Sequence, residues 1–347
     1  MNKLELEKEL EEMVKIPGVS GYEGRIREYI RSKVIEIVDE KNVIIDAIGN
    51  LIVKVGSGER RIALIAHMDE IGLVVTKIEQ DGKIAFSKIG GIQDILLPGT
   101  LWEIITEKGE INGVIGITPP HLAIEEAQKI IPWHQLRIDV GANSKIEVEK
   151  MGVKVLDPIA PKKNFIKLAN NLASARSLDD RFGCIALIKT LENIINENME
   201  FKDEIYFIWS VQEEVGLKGA KVVANQINPQ ITIAVDSFPC CSTLTGDVQI
   251  GNGPVIRAID RSSISNMDLI KYTIGKAQEN KIPIQIGVTG GGNDGSVCQE
   301  RGSKLIAIGV PMKYSHSLVE TISLNDLENL IKLLILEMGS IHEYNMV

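Results

Sequence analysis

Cysteine is scarce in this chain: Cys184, Cys240, Cys241 and Cys298 are four among 347 residues. So few in so long a chain make no disulfide framework, and they predict a reducing compartment. Aromatic residues are also sparse, at 4% with three Trp, which is poor material for sugar-stacking platforms. Positive charge is in deficit. Lys and Arg number 38 against 47 Asp and Glu, a net charge of −9, which argues against nucleic acid or an anionic membrane as the main partner. No run approaches the roughly 18 apolar residues of a membrane span. Residues 1–10 are charged and lack the apolar core of a secretory leader. No long polar tract or repeat interrupts the chain, so extended disorder is excluded. The expectation is a cytoplasmic globular protein with neither a nucleic-acid nor a membrane partner.

What is present is a chain 44% apolar and 24% charged, enough for a sizeable core and roughly two domains. Residues 4–14 predict a helix with Leu6, Leu10, Met13 and Val14 on one stripe, and 23–38 predict a second. Val43-Ile44-Ile45 and Leu51-Ile52-Val53 flank Gly49-Asn50, which signals a hairpin. Residues 61–66 are apolar without alternation, as in a strand buried on both faces, and run into His67-Met68-Asp69-Glu70. The texture then changes. From 73 to 163, short β-rich runs at 74–78, 84–86, 101–105 and 114–117 alternate with turns, with one short helix expected near 125–131. After Pro161 helices and strands alternate again. Helices are expected at 180–195, after Gly216, and at 267–277, 294–299 and 324–338; strands at 205–211, 231–235, 282–286 and 305–310. The expected fold is α/β: a mixed sheet sandwiched by helices over residues 1–72 and 164–347, with a small β-rich domain, 73–163, spliced in.

In open α/β sheets, function gathers at the carboxyl ends of strands. Those ends carry His67 and Asp69, then Glu213-Glu214, then Asp236, then His316, with Asp179-Asp180 at the mouth of a helix. No nucleophile elbow and no Gly-x-Gly-x-x-Gly follows a strand. Nitrogen and oxygen donors without thiolates suit Zn²⁺, Co²⁺ or Mn²⁺. Several carboxylates would offset the charge of two ions, and one could bridge them. Each residue also has a plainer reading. His67 could end a strand as a polar residue, and Asp179 could cap the helix that follows. Of three Glu-Glu pairs, Glu11-Glu12 and Glu125-Glu126 read as solvated helix faces; only Glu213-Glu214 follows an apolar strand. Asp236 after Ile-Thr-Ile-Ala-Val has no packing rationale. His121, His134 and His342 read as structural or surface residues. Cys240-Cys241 is weak evidence for a metal site without other thiols.

The ordered set His67-x-Asp69, Asp179, Glu213-Glu214, Asp236, His316 resembles the di-zinc family of glutamyl aminopeptidases and tetrahedral (TET) aminopeptidases, some members of which are called endoglucanases. The likeness spans essentially the whole chain. It includes Ala66-His67-Met68-Asp69-Glu70-Ile71-Gly72, Ile138-Asp139-Val140-Gly141-Ala142, Leu178-Asp179-Asp180-Arg181, Gln212-Glu213-Glu214-Val215-Gly216, Gly251-Asn252-Gly253-Pro254 and Tyr314-Ser315-His316-Ser317. His67 and Asp179 stand 112 positions apart, so the β-rich insert falls between them, as in these aminopeptidases and unlike related deacylases. The resemblance implies two divalent metal ions per subunit, zinc first, with cobalt or manganese as alternatives. His67 and Asp236 would bind one and Glu214 and His316 the other, with Asp179 bridging, Glu213 as general base and Asp69 holding His67 by a hydrogen bond. It implies short peptide substrates trimmed from the amino end.

Departures from the family pattern are Lys313 for Arg, Leu318 for Pro, Gly291-Gly292-Asn293-Asp294-Gly295 for Gly-Gly-Thr-Asp-Ala, and the stretch Ser237-Phe238-Pro239-Cys240-Cys241. They fall where a substrate side chain could be read and remove no ligand. The alternative reading, a glycoside hydrolase of endoglucanase type, needs two carboxylates beside a sugar bond and leaves His67 and His316 without a task. A non-catalytic metal-binding or assembly protein leaves Glu213 without one. In the insert, Ile92, Ile95, Leu96 and Leu97 beside Pro98-Gly99 suggest a surface covered by a partner chain. The expectation is a homo-oligomer, at least a dimer, with a dodecamer as the larger form.

Overall fold

The apolar run at 61–66 feeds two cores at once. In the computed structural model, which describes residues 3–119, 121–122, 130–162, 164–240 and 242–344, Ile62, Leu64 and Ala66 pack into one buried cluster and Ala63 and Ile65 into another. Alternate side chains of a strand point to opposite faces, so a strand without polar alternation has to lie between two layers.

That strand sits inside an eight-stranded mixed sheet. In chain order its members are β1 Val43–Ile45, β2 Leu51–Val55, β3 Arg61–His67, β4 Glu204–Ser210, β5 Ile231–Val235, β6 Val255–Ile259, β7 Gln285–Val288 and β8 Lys304–Gly309. Side by side they run β1-β2-β4-β3-β5-β8-β6-β7. The four central strands β4, β3, β5 and β8 are mutually parallel, so their carboxyl ends open on one edge. Helices Lys3–Val14, Gly24–Val34, Leu178–Asn196, Met267–Glu279 and Leu324–Ser340 supply the larger core on one face; Lys218–Gln226 and Gly295–Gln299 cover the other. Asn266 and Ser323 accept backbone N–H bonds at the starts of two of these helices, the usual device for satisfying the first orphan donors.

Between β3 and β4 the chain builds a second, five-stranded sheet in the order Ile84–Ile89, Gly72–Ile78, Pro158–Pro161, Thr100–Thr106, Gly109–Ile115. It has its own core around Trp102, Phe86, Ile104 and Ile159.

The structure corrects several expectations. The second helix ends at Val34 rather than 38. The strand expected at 282–286 forms at Gln285–Val288, and β6 was not foreseen. A two-turn helix, Lys145–Met151, lies in the insert; Ser144 accepts the Glu147 N–H and Gly152, at φ +106, ends it. The helix expected near 125–131 falls largely outside the described residues. Ile92 and Leu97 do not form an open patch but belong to the insert's own core, while Ile95 alone of that group is largely exposed. An apolar stretch beside a turn folds inward when a sheet face lies within reach. No helix among the described residues is long and apolar enough to cross a membrane.

Candidate metal centre

The four parallel strands deliver their donors to one place. His67 is the last residue of β3, Asp236 directly follows β5, and Glu213-Glu214 lie just past β4. His316 comes from the loop after the short strand Pro311–Met312, which continues from β8. Asp179 enters from the start of helix Leu178–Asn196, where its backbone and that of Asp180 are not yet helical. The capping task belongs to its neighbour: Asp180 Oδ1 accepts the Gly183 N–H at 3.1 Å. Asp179 is thus free to turn its carboxylate to the well.

Donor atoms of His67, Asp179 and Asp236 lie within 4.8 Å of one another, as do those of Asp179, Glu214 and His316, and those of His67, Glu213 and Glu214. Asp179 is common to the first two groups. Its Oδ1 lies 3.4 Å from His67 Nε2, and its Oδ2 lies 3.8 Å from His316 Nε2. Oδ2 also accepts bonds from Ser237 Oγ at 3.0 Å and Ser315 Oγ at 3.3 Å. Oδ1 is buried and accepts no hydrogen bond among the described residues. His316 Nε2 stands 3.3 Å from Glu214 Oε2.

Asp69, fully buried, organises one side. Its Oδ1 accepts the Glu213 N–H at 2.9 Å; its Oδ2 accepts the Glu214 N–H at 3.2 Å and the Ser20 hydroxyl at 2.6 Å. His67 Nδ1 lies 3.2 Å from the Asp69 carbonyl oxygen but 3.6 Å from its carboxylate. The Asp69 carboxylate, expected to hold His67, stands beside the ring at ion-pair distance while it also clamps the Glu-Glu pair. Arg257 Nη1, on β6, sits 3.2 Å from Asp236 Oδ2 and donates to the Ser237 carbonyl at 2.7 Å.

The backbone is strained where these residues meet. Gln212, Tyr314 and His316 all take left-handed φ values, +56°, +61° and +59°. Such conformations in non-glycine residues cluster where surrounding structure enforces a functional geometry.

The electrostatics fit cations. Burial pushes Glu213 and Glu214 well above the usual carboxylate range, and neighbouring carboxylates reinforce it. Burial likewise raises Asp236 to about 6 against the pull of Arg257, and Asp294 to about 7. Asp179 goes the other way: burial opposes, but the His67 ring beside it holds it at about 2. Burial works against a charged His67, yet Asp179 and Asp69 raise it well above its ordinary value. So many buried carboxylates are unfavourable unless paired with positive charge. The orphaned Asp179 Oδ1, two imidazoles and several carboxylates form the donor set that hard or borderline divalent metals take. Cys240 belongs to none of the donor clusters among the described residues.

The centre opens into a cavity of about 540 Å³. Its wall includes Gly91 and Gln93 from the insert, Leu217, Pro239 and the Gly290–Gly292 turn. Of the departures noted in the sequence, Ser237 and Pro239 reach this wall. Asn293 instead is buried and donates to Asp260 at 2.8 Å and Ser263 at 2.9 Å. Sequence reasoning missed Glu320, Arg257 and Gly91. Glu320 had a faint signal, an acid four positions after His316; Gly91 had none, because its approach to His316 is made across the two sheets.

An α/β sheet sandwich with a His-and-carboxylate well at the ends of its parallel strands defines the class of metal-dependent hydrolases. The sequence profile described as M42 glutamyl aminopeptidase matches residues 49–333, and the chain belongs to that aminopeptidase family. It is 34% identical to a lysyl aminopeptidase of Pyrococcus furiosus, over 93% of this chain and 94% of that one. The structure of the Pyrococcus horikoshii TET1 peptidase, which assembles into a tetrahedron or a large octahedral shell, superposes with a TM-score of 0.91 at 50% identity. The match covers 97% of this chain and 99% of that one. The structure of a Thermotoga maritima protein called an endoglucanase also matches, with TM-score 0.76 and 31% identity over 95% of this chain and 96% of that one.

Proposed function

We propose that the chain removes amino-terminal residues from short peptides with two divalent cations, zinc first and cobalt or manganese as alternatives. His67 and Asp236 would hold one cation, Glu214 and His316 the other, and Asp179 both. Such ions, when bound, lower the pKa of a water and polarise a carbonyl. Glu213 is the general base: its carboxylate takes a proton from the attacking water and returns it to the leaving amine nitrogen. Asp69 fixes the Glu213 backbone through the N–H it accepts. The acidic well favours the substrate's protonated α-amino group.

The observation that carries this reading is that Asp179 belongs to two donor clusters at once. We assign residues 1–72 and 164–347 to the catalytic domain and 73–163 to an inserted domain through which subunits join. A homo-oligomer, a dimer at least with a dodecamer as the larger form, acts in the cytoplasm, with no nucleic-acid or membrane partner. Support for assembly comes from the shells described for the P. horikoshii relative.

The test is metal content together with turnover on a panel of aminoacyl-anilides, their N-acetylated forms and carboxymethyl-cellulose. The expected result is two ions per chain and cleavage of free-amine anilides only. Full activity at one ion per chain, or turnover of the polysaccharide, would sink the assignment.

A further inference from the structure

Glu320 belongs to none of the donor clusters, yet it is fully enclosed and touches the backbone of two proposed ligands. Its Oε2 accepts the Asp179 N–H at 3.1 Å and its Oε1 accepts the His316 N–H at 3.0 Å. These donors lie 137 positions apart in the chain. Glu320 stands on a firm base: it opens the strand Glu320–Ser323, which pairs with Leu172–Ala175, the strand that leads into Asp179. His316 has no such base. It sits in a loop at φ +59°, two residues after Tyr314 at φ +61°. That conformation is unfavourable for a non-glycine residue and persists only where neighbours enforce it. A carboxyl side chain can enforce it and hold Asp179 in the same act, because each of its two oxygens accepts one of the two N–H groups.

We propose that Glu320 is a positioning residue that sets Asp179 and His316 at the spacing of a shared cation site. Its loss weakens the ion held by Asp179, Glu214 and His316 and spares the one held by His67, Asp179 and Asp236. The asymmetry follows from what else holds each ligand. Asp179 keeps its bonds from Ser237 and Ser315, and His67 ends a central strand. The inference rests on the two-cation reading above.

Two substitutions in the full chain separate span from charge. Glu320→Gln keeps the length but turns one acceptor into a donor facing an N–H. Glu320→Asp keeps the charge but is one methylene too short to reach both amides. Hydrogen exchange of the metal-free protein, read by mass spectrometry, is expected to quicken in the peptides containing Asp179 and His316 and to stay unchanged in β3 and β5, which reports that the variant is folded. Zn²⁺ titration is expected to show one ion bound 10–100-fold more weakly in both variants, the range for loss of a group that orients a ligand, with the other ion unaffected. Unchanged exchange around His316 in Glu320→Gln overturns the proposal. So does wild-type affinity in Glu320→Asp, which would assign the effect to charge. A wild type that binds one ion fails the two-cation reading instead, and the exchange result then decides the clamp alone.

Discussion

Replacing Asp69 by Asn tests whether the Glu213-Glu214 pair is held by its backbone. The wild-type carboxylate accepts three bonds: Glu213 N–H at 2.9 Å on Oδ1, and Glu214 N–H at 3.2 Å and the Ser20 hydroxyl at 2.6 Å on Oδ2. Asn has one oxygen. Placed at the Oδ2 position it keeps Ser20 and Glu214, and its amino group then faces the Glu213 N–H, donor against donor. One buried bond to a charged acceptor is lost, about 1–3 kcal/mol. If all of that displaces Glu213 from its working position, kcat falls by about 5- to 150-fold, at roughly 1.4 kcal/mol per decade. Steady-state turnover of an aminoacyl-anilide at saturating Zn²⁺ measures it. Asp69→Ala orphans both amides and should cost more than Asn. A loss above about 10⁴-fold in Asp69→Asn would refute the clamp and make Asp69 a direct participant in proton transfer, because no single hydrogen bond accounts for it. Unchanged kcat would show that the Glu pair is held by other means.

Three further outcomes follow from the geometry. Glu213→Gln should retain its metal content by elemental analysis while kcat drops about 10²–10⁴-fold, the usual share of a general base; near-normal turnover removes Glu213 from that role. Gly91→Ala brings a methyl to 2.8 Å from His316 Nδ1, so metal affinity on the His316 side should fall with little change in thermal stability, and normal affinity would mean that the insert does not touch the chemistry. Glu337, buried in helix Leu324–Ser340 away from the well, is raised by burial to about 7, and its Oε1 has no hydrogen-bond partner among the described residues. An acid whose folded pKa is raised contributes stability below its unfolded pKa and loses it as pH rises through about 7. Glu337→Gln should therefore stabilise the protein by about 1–3 kcal/mol at pH 8–9 and not below about pH 4.5, a difference that denaturation at the two pH values reads directly.

Much of this protein is written locally. The central strands are runs of Ile, Val, Leu and Ala that only a two-sided core can satisfy, and three of them, β3, β4 and β5, lead into residues too polar for that core. That conjunction made His67, Glu213-Glu214 and Asp236 legible, because the polar residue marks where a buried strand leaves its layers. Long amphipathic helices such as Leu324–Ser340 declared themselves by period. Asp179 was readable as a site residue only through its place in the set, since a helix-start Asp is ordinarily a cap; it took the structure to give that task to Asp180. The remainder depended on contacts between distant segments. Whether Ile92 and Leu97 faced out or in was decided by a sheet face that the local sequence does not contain. Asp69 holds the Glu213 and Glu214 amides besides facing His67 because those N–H groups, delivered by a parallel neighbour strand, lie within reach of its carboxylate. Glu320 reaches Asp179 because its strand pairs with the one that leads into that residue. Hydrophobic period and strand-end chemistry are properties of short stretches of chain, whereas a hydrogen bond between residues more than a hundred positions apart exists only once packing has fixed the distance between them.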